Sequence, residues 1–177
     1  QERQPGQFIL LSINQDYGER IPLTIADADI QEGSITIIFQ AVGFTTRNLA
    51  ALEVGEKLAV LLGPLGRPTH VEKVGRVVCV GGGVGVAPLH PIAKALKAAG
   101  NHLTCILGAR NKELLIMEKQ FRAFADEVVI CTDDGSAGRH GFVTEALKDL
   151  LEAGGIDAVY AVGPVPMMRA VSTLTQP

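Results

Sequence analysis

Short apolar runs separated by turn residues fill the first third of the chain. They predict β-strands at 8–13, 23–26, 34–41 and 57–62. One helix is predicted at 45–52, with Thr45 or Thr46 capping its N-terminus, and a turn is predicted at 63–66. The first part of the chain is therefore predicted to be rich in β-structure.

After residue 75 the pattern changes to alternating strands and helices. Strands are predicted at 76–81, 103–108, 127–132 and 157–162, and helices at 87–99, 113–125, 142–152 and 165–175. This alternation is typical of a parallel sheet with helices on both faces. The boundary is predicted near residues 67–75, which divides the chain into domains at 1–70 and 71–177.

The first strand of the second domain runs into a cluster of glycines. The apolar run at 77–80 is followed by glycines at 81, 82, 83 and 85, and Pro88 and Pro91 fit only the first turn of the next helix. A tight turn of this kind points backbone N–H groups outward at the positive end of a helix dipole. It predicts a ligand that carries phosphates, although a glycine-rich turn can also be merely tight.

The two common phosphate-binding motifs do not fit this turn. A P-loop requires Lys followed by Ser or Thr after its last glycine, and this chain has Val86 and Ala87 there. The G-x-G-x-x-G motif placed on Gly81 and Gly83 requires Gly or Ala at position 86, and its acidic ribose ligand is missing where the second strand ends at Arg110.

The ends of the four predicted parallel strands are the candidate site, because ligands of open parallel sheets lie beyond the carboxyl ends of the strands. Three of the four ends have glycine directly after the strand, and the fourth has it two residues later. These ends are 81–85, 108–110, 133–136 and 163–164. The repetition favours a phosphate or nucleotide ligand.

Composition limits the possible classes of function. The 177 residues are 47% hydrophobic and 20% charged, with a net charge of −3, which argues against nucleic acid as a partner. No apolar stretch approaches the roughly 20 residues of a membrane span, and no signal peptide is present, so a cytoplasmic location is predicted. Cys79, Cys105 and Cys131 lie in strand-like runs and are predicted to be buried thiols, so no metal site is expected.

Five motifs in order resemble the ferredoxin–NADP reductase superfamily. They are Arg20-x-Pro-Leu-Thr24, Val42-Gly-Phe-Thr-Thr46, Gly63-Pro-Leu-Gly66, the glycine turn up to Pro88, and Gly163-Pro-x-x-Met167. Within it the chain looks most like the small flavin subunits of NADH-dependent ferredoxin–NADP oxidoreductases (sulfide dehydrogenase subunits) and the electron-transfer subunit of dihydroorotate dehydrogenase. The resemblance implies an antiparallel β-barrel that binds FAD, here incomplete, followed by an α/β domain that binds NAD(H) or NADP(H).

In the first domain the resemblance places the flavin beside the Arg20–Thr24 motif. Thr24 would supply a catalytic hydroxyl beside the reactive flavin nitrogen, with Pro22 and Leu23 next to it. The family's arginine position holds Ile21, so Arg20 lies one residue early and would need a small bulge to reach the cofactor's phosphates. Further FAD contacts are implied for Gly43, Thr45, Thr46 and Gly63, although Thr45 can also be only a helix cap.

In the second domain the resemblance assigns the pyrophosphate and nicotinamide to the glycine turn, at Gly82, Gly83, Gly85, Val86, Ala87 and Pro88. Arg110 and Asn111 are placed to meet the adenosine ribose or its phosphate. Arg110 can also stack on adenine or pair with Glu113, and NAD is favoured only because the most similar-looking relatives use it. Asp134 and Gly135 lie in a loop that either closes over the cofactor or is simply solvated. Gly163, Pro164 and Met167 would lie beside the nicotinamide, with Val162 where many relatives have cysteine.

The resemblance implies an FAD-dependent oxidoreductase that moves a hydride between NAD(P)H and FAD. In a complete chain, electrons would pass to a [2Fe-2S] centre and on to a larger flavin and iron–sulfur subunit or to ferredoxin. This chain begins close to the Pro5–Phe8 stretch and stops at Pro177, before the family's cysteine-rich segment, so a fragment without cluster ligands is expected. The alternative is a catalytically idle nucleotide-binding or assembly module that does not retain flavin.

Overall fold

The computed structural model describes residues 3–14 and 19–176. The chain divides into two compact units, residues 1–69 and residues 70–177. Each unit has its own sheet.

The first unit is built on a four-stranded antiparallel sheet. Its strands are β1 (Phe8–Ser12), β2 (Ile21–Asp29), β3 (Ser34–Ile37) and β4 (Val60–Leu65), in the order β3-β2-β1-β4. Helix α1 (Phe44–Ala50) lies between β3 and β4 in sequence. The predicted β-rich domain with one short helix is therefore confirmed.

The core of the first unit forms on one face of this sheet. Ile9, Leu11 and Ile25 are buried there, and Ile21 and Leu23 of β2 pack against them. Because side chains alternate along a strand, Pro22 and Thr24 point to the opposite face.

Three strands of the first unit differ from the sequence prediction. β2 extends beyond the predicted 23–26 at both ends, over Ile21–Asp29. β3 ends at Ile37 instead of residue 41, and β4 runs three residues later than predicted, so that residues 63–65 form strand and not turn. β4 pairs with β1 from Val60 to Leu65, and this pairing outweighs the turn preference of Gly63 and Pro64 at the sheet edge.

The second unit is the predicted α/β domain. Strands β5 (Arg76–Gly82), β6 (His102–Ala109), β7 (Glu127–Thr132), β8 (Arg139–His140) and β9 (Ala158–Val162) form a parallel sheet in the order β8-β7-β6-β5-β9. The helices are α2 (Val86–Ala98), α3 (Glu118–Arg122), α4 (Val143–Ala153) and α5 (Val165–Leu174).

Alternate residues of β5, which lies between β6 and β9, contribute to two separate cores. Val77 and Cys79 pack with residues of α2 and with Phe121 of α3 on one face, whereas Val78 and Val80 pack with residues of α4 and α5 on the other. The three cysteines are buried in β5, β6 and β7, as predicted. A hydrogen bond with Cys105 and burial raise the pKa of the Cys79 thiol well above its usual value.

Three features of the second unit depart from the sequence prediction. The helix predicted at 113–125 is a 3₁₀ turn at Lys112–Leu114 followed by the five-residue α3, because Met117 adopts a left-handed conformation that interrupts the helix. The two-residue strand β8 was not expected, since its loop has no apolar pattern. Helix α2 begins at Val86, so Pro91 lies in its second turn, where it removes one helical hydrogen bond.

Candidate nucleotide-binding site

The strand order of the parallel sheet reverses between β5 and β9. The chain moves outward from β5 to β6 and β7, and then returns to place β9 on the other side of β5. A reversal of this kind opens a crevice at the carboxyl ends of the two strands, which is where ligands of such sheets bind. Here the loop after β5 and the loop after β9 form its walls, with α2 and α5 on opposite faces.

Three glycines allow these two loops to touch through their backbones. A Cβ atom placed on Gly85 would lie 2.5 Å from the Val162 carbonyl oxygen and 2.7 Å from the Gly163 Cα. A Cβ atom on Gly82 would lie 2.5 Å from the Met167 sulfur, and one on Gly163 would lie 2.7 Å from the Met167 methyl carbon. Packing against backbone therefore requires glycine at 85, whereas the nearest atoms at 82 and 163 belong to the flexible side chain of Met167.

Gly83 is different from its neighbours. Its φ is 55°, a left-handed conformation, and a Cβ atom placed there would meet no atom within 4 Å. Gly81, by contrast, faces Val86 and Leu89. Gly83 is thus the glycine of the turn that faces open space, where a ligand could approach the main chain.

Both helices at the crevice begin without a side-chain cap. The N-cap residues are Gly85 for α2 and Pro164 for α5, and neither offers a side-chain acceptor to the first backbone N–H groups. A 3₁₀ turn at Gly83–Gly85 leads directly into α2, and the Val86 N–H donates to the carbonyls of Gly83 and Val84. Val86 and Ala87 are buried and Pro88 is half-buried, so Ala87 can meet a ligand only through its main chain. Such helix starts suit an anion.

The loops after β6 and β7 are joined by hydrogen bonds. The N–H groups of Asp133 and Asp134 donate to the carbonyls of Ala109 and Arg110, at 3.1 and 3.2 Å. The Lys112 N–H donates to the Ser136 hydroxyl at 2.8 Å. Arg110 is exposed and makes no ion pair within the described residues, so the alternative of a pair with Glu113 is not formed. The Asn111 side chain is used locally, since it accepts from the Leu114 N–H.

The loop that carries Asp134 and Gly135 is exposed but internally fixed. One carboxylate oxygen of Asp134 accepts from the Ser136 N–H and hydroxyl, and these bonds lower the pKa of Asp134. Thr132 and Ala137 exchange two hydrogen bonds, and Gly135 adopts a φ of 73°. The arrangement is more ordered than a simple solvated loop.

One exposed side chain at this edge is not singled out by the sequence pattern. Phe142 occupies the N-cap of α4 and is 61% exposed. The available signal was an aromatic residue directly after Gly141, at a position where helices usually begin with a small polar residue.

In the first unit, the β1–β2 pairing determines how the Arg20–Thr24 motif is presented. The register is regular from Ile21 to Thr24, and the irregularity of β2 lies later, between Ile25 and Asp27. No bulge therefore lies between Ile21 and Thr24, and the role of Arg20 stays a prediction. Arg20 is exposed and Thr24 half-buried.

The groups around α1 that are predicted to contact flavin make hydrogen bonds or packing contacts within the first unit. Gly43 is the N-cap, and its N–H donates to the Thr46 hydroxyl at 2.9 Å. Thr45 is buried, and its hydroxyl donates to the Glu19 carboxylate. The N-cap is thus Gly43 and neither of the predicted threonines, although Thr46 completes the start of the helix by accepting from the Gly43 N–H. Gly63 lies in β4, where a Cβ atom would be 2.8 Å from the Ile9 side chain.

A separate concavity of about 390 Å³ lies along the outer side of β7 and is lined in part by Arg122 and Arg139. These arginines pair with Glu118 and Asp149, so they offer no uncompensated charge to a ligand. Within residues 3–14 and 19–176, no group of three or more His, Cys, Asp or Glu side chains is arranged to hold a metal ion. No helix in these ranges is both long and apolar enough to span a membrane.

An antiparallel sheet followed by a parallel sheet with glycine-rich loops at its switch point is the fold of ferredoxin reductase-like flavin and nicotinamide nucleotide-binding proteins. A family model described as the oxidoreductase NAD-binding domain matches residues 79–173. The chain is 44% identical to a solved structure of an NADH-dependent reduced ferredoxin-NADP oxidoreductase, with a TM-score of 0.90 over 98% of this chain and 62% of the other.

Two curated relatives extend the comparison. The dihydroorotate dehydrogenase B (NAD(+)) electron transfer subunit homolog of Thermotoga maritima is 47% identical over 95% of this chain and 59% of its own length. The electron transfer subunit of Fusobacterium nucleatum is 37% identical over 96% of this chain and 67% of its own length. The chain belongs to the oxidoreductase NAD-binding domain family, in the group that contains these electron transfer subunits. It spans about three fifths of the length of the first of these relatives.

Proposed function

We propose that the chain is the nucleotide- and flavin-binding part of an electron transfer subunit, which moves a hydride between NAD(H) and FAD. The observation that carries the proposal is the crevice between β5 and β9. There Gly82, Gly85 and Gly163 bring two loops into backbone contact, and Gly83 faces open space beside two uncapped helix starts.

At this crevice the chain's own groups hold and orient a dinucleotide. The N–H groups at the start of α2, apart from that of Val86, would bind the pyrophosphate, because a helix N-terminus attracts anions and glycine lets the phosphate approach. Pro164 and Met167 would set the position of the nicotinamide through apolar contact. Arg110 and Asp134 would meet the adenosine ribose from the ends of β6 and β7. NAD is proposed over NADP, in line with the NAD(+) in the names of the curated relatives.

The first unit offers a partial fit to FAD. Arg20 is an exposed cation, and Pro22 and Thr24 share one face of β2, where Thr24 would present its hydroxyl to the isoalloxazine ring. When bound, FAD supplies hydride acceptance and the release of electrons. The protein's part is to position the two cofactors, since hydride transfer depends on geometry rather than on a strong acid or base.

The proposed partners follow from the relatives. The related structure is described in terms of flavin-based electron bifurcation and of ferredoxin, and the curated relatives are named as an electron transfer subunit of dihydroorotate dehydrogenase B and a homolog of that subunit. We therefore propose a larger flavin and iron–sulfur subunit, or ferredoxin, as the electron acceptor. A [2Fe-2S] cluster and the predicted cytoplasmic location concern the complete protein and remain predictions.

The test is the visible spectrum of the purified 177-residue chain after incubation with FAD and gel filtration. The proposal expects flavin colour that stays with the protein and bleaches with NADH faster than with NADPH. Arg20→Gln should weaken FAD binding about tenfold through loss of a charge-assisted contact, whereas Lys57→Gln, which removes another exposed cation of the same unit, should not. Flavin that is retained but does not respond to either nucleotide would contradict hydride transfer.

A second candidate function is a nucleotide-binding or assembly module that does not retain flavin. One observation favours it: the Glu19 carboxylate lies at Thr45, in the segment predicted to hold the FAD pyrophosphate. A negative charge there opposes binding of a second anion. A protein that stays colourless after incubation with FAD, yet binds ADP-ribose by calorimetry, would support this candidate over the first.

A further inference from the structure

Met167 is a methionine whose sulfur lies between the loops after β5 and β9. It belongs to the first turn of α5, and its half-buried side chain packs against the core that contains Val78 and Val80. A Cβ atom placed on Gly82 would lie 2.5 Å from the Met167 sulfur, and one placed on Gly163 would lie 3.0 Å from the same sulfur. The thioether therefore lies against the main chain of both loops, at the place where they meet.

The other two methionines of the chain have different surroundings. Met168, the next residue, is 36% exposed, and Met117 is half-buried on the opposite face of the sheet, in the core with α2. The atoms nearest to the Cβ positions of Gly82 and Gly163 include none from either of them. A chemical change at the Met167 sulfur therefore acts on the two loops directly, whereas the same change at Met117 or Met168 does not.

We propose that the Met167 sulfur is a redox modification site, at which oxidation to the sulfoxide loosens the contact between the loops after β5 and β9. The oxidant is hydrogen peroxide. The thioether gives an electron pair to one peroxide oxygen and the O–O bond breaks, so that the sulfur gains this oxygen and the other oxygen leaves as water. The side chain is half-buried and unbranched, so it can turn to expose its sulfur to so small a molecule.

The sulfoxide does not suit the position of the thioether. Its oxygen is a polar acceptor, and the ring of Pro164, which also faces Gly82, has no N–H group to donate to it. Burial of a polar oxygen without a partner costs free energy, whereas a side chain turned out to water leaves the space between the two loops unfilled. Both outcomes remove packing that holds the loops together.

The change reaches the proposed nucleotide site because the phosphate position lies in the loop after β5, and this part of the inference rests on the proposed function. If one unpaired polar group disfavours the closed arrangement of the loops, the population that can bind falls about tenfold, and the apparent affinity falls by the same factor. Methionine sulfoxide reductases restore the thioether, so the change is reversible. Met167 thus couples oxidising conditions to loss of nucleotide binding.

The test treats the 177-residue chain with hydrogen peroxide and locates the sulfoxide by peptide mass spectrometry. The urea midpoint and the binding of ADP-ribose by calorimetry are measured before and after treatment. Oxidation of Met167 should lower the urea midpoint by about 0.5 M and weaken ADP-ribose binding about tenfold, and the reductases should reverse both changes. ADP-ribose is the suitable probe because it lacks the nicotinamide that Met167 is proposed to contact.

Three variants separate the effect of each sulfur, each variant being compared with itself before and after peroxide. Met167→Leu keeps an apolar side chain of similar size but has no sulfur to oxidise at this position, so peroxide should change neither its urea midpoint nor its affinity. Met117→Leu and Met168→Leu are the matched controls, and both should respond to peroxide as the unaltered chain does.

Oxidation that stops at Met168 and spares Met167 would overturn the inference, and so would a sulfoxide at Met167 that leaves the urea midpoint unchanged. An equal response in Met167→Leu would also overturn it, because the effect would then come from another residue. A lower urea midpoint without weaker ADP-ribose binding would refute the link to the nucleotide site. If the untreated chain binds no ADP-ribose, the proposed nucleotide site fails, and the urea midpoint alone decides whether Met167 controls the contact between the loops.

Discussion

Replacing Gly85 with alanine tests whether glycine is required at the crevice by packing or by backbone conformation. Gly85 has φ −63° and ψ −15°, values that alanine adopts readily. On backbone grounds alone Gly85→Ala should stabilise the protein by about 0.4–1 kcal/mol. The new methyl group, however, would lie 2.5 Å from the Val162 carbonyl oxygen, and neither neighbouring backbone can rotate out of its way.

The magnitude follows from this contact. Ordinary van der Waals contact begins near 3.4 Å, so the loops after β5 and β9 must separate by close to 1 Å. Overpacking of this kind costs about 1–3 kcal/mol, which exceeds the backbone gain, and we expect a net loss of about 1–2 kcal/mol.

Gly83→Ala is the matched comparison, because at Gly83 the backbone conformation disfavours alanine while the packing leaves room for it, the reverse of Gly85. Its left-handed conformation costs alanine about 1 kcal/mol, while the methyl group meets no atom within 4 Å. Backbone preference alone predicts that Gly83→Ala is the damaging substitution, whereas packing predicts that Gly85→Ala is at least as damaging. Gly83→Ala should also weaken ADP-ribose binding, since its methyl group enters the proposed phosphate position.

The assay is urea unfolding followed by the far-ultraviolet circular dichroism of the helices, four of which lie in the second unit. Thermal unfolding gives an independent measure, at about 4 °C per kcal/mol for a unit of this size. A Gly85→Ala protein as stable as the unaltered chain, or more stable, would refute the packing argument.

Three further substitutions test other contacts of the second unit. Gly108→Ala should cost about 1–3 kcal/mol of unfolding free energy because of its clash with Val143, and adding Val143→Ala should recover part of the loss; no recovery in the urea midpoint would contradict the assigned contact. Asn101→Ala should cost about 3 kcal/mol of unfolding free energy, since the buried Asn101 amide makes four hydrogen bonds to the backbone of Glu72, Val74, Gly75 and Leu96. Asn101→Asp keeps the two bonds in which the side chain accepts, so it should lower the urea midpoint by less than Asn101→Ala. Asp126→Ala should cost about 1 kcal/mol at neutral pH, because Asp126 accepts from the Leu103 N–H and from Lys97. These bonds lower the pKa of Asp126 in the folded protein. Its contribution to the free energy of unfolding is therefore present above the unfolded pKa of about 3.9 and is lost as the pH falls through the pKa of the folded state. A difference in stability between the unaltered protein and Asp126→Ala that persisted at lower pH would contradict this.

Much of the second unit can be predicted because its signals are local. Each buried strand is a short apolar run that ends in glycine or a polar turn, and the buried cysteines recur with the strand–helix repeat. β4 was misplaced because pairing with β1, and not its own residues, decides where it runs. β8 was missed for a similar reason: its two residues join the sheet only through backbone bonds to β7.

The candidate site is predictable at the level of strand ends but not of individual side chains. The sequence shows four glycines near residue 83, yet it cannot show that two of them face residues 162–167, about 80 positions away. It also suggests a bulge that would adjust Arg20, and the β1–β2 pairs show none between Ile21 and Thr24. The exposure of Phe142 depends on contacts that the sequence does not show, because Gly141 is held by β7 and Val143 packs against β6.

The pairing of β5 with β9 also determines when the crevice can exist during synthesis of the chain. Val77 pairs with Ala158, so the last strand must be made before the central strand gains its second neighbour. At 5–20 residues per second, the 80 residues between them take roughly 4–16 s to synthesise. During that time one edge of an apolar strand is uncovered on the ribosome, and a ligand that needs both loops has nothing to bind. Such a ligand can stabilise the finished unit, but it cannot guide the early steps of its folding.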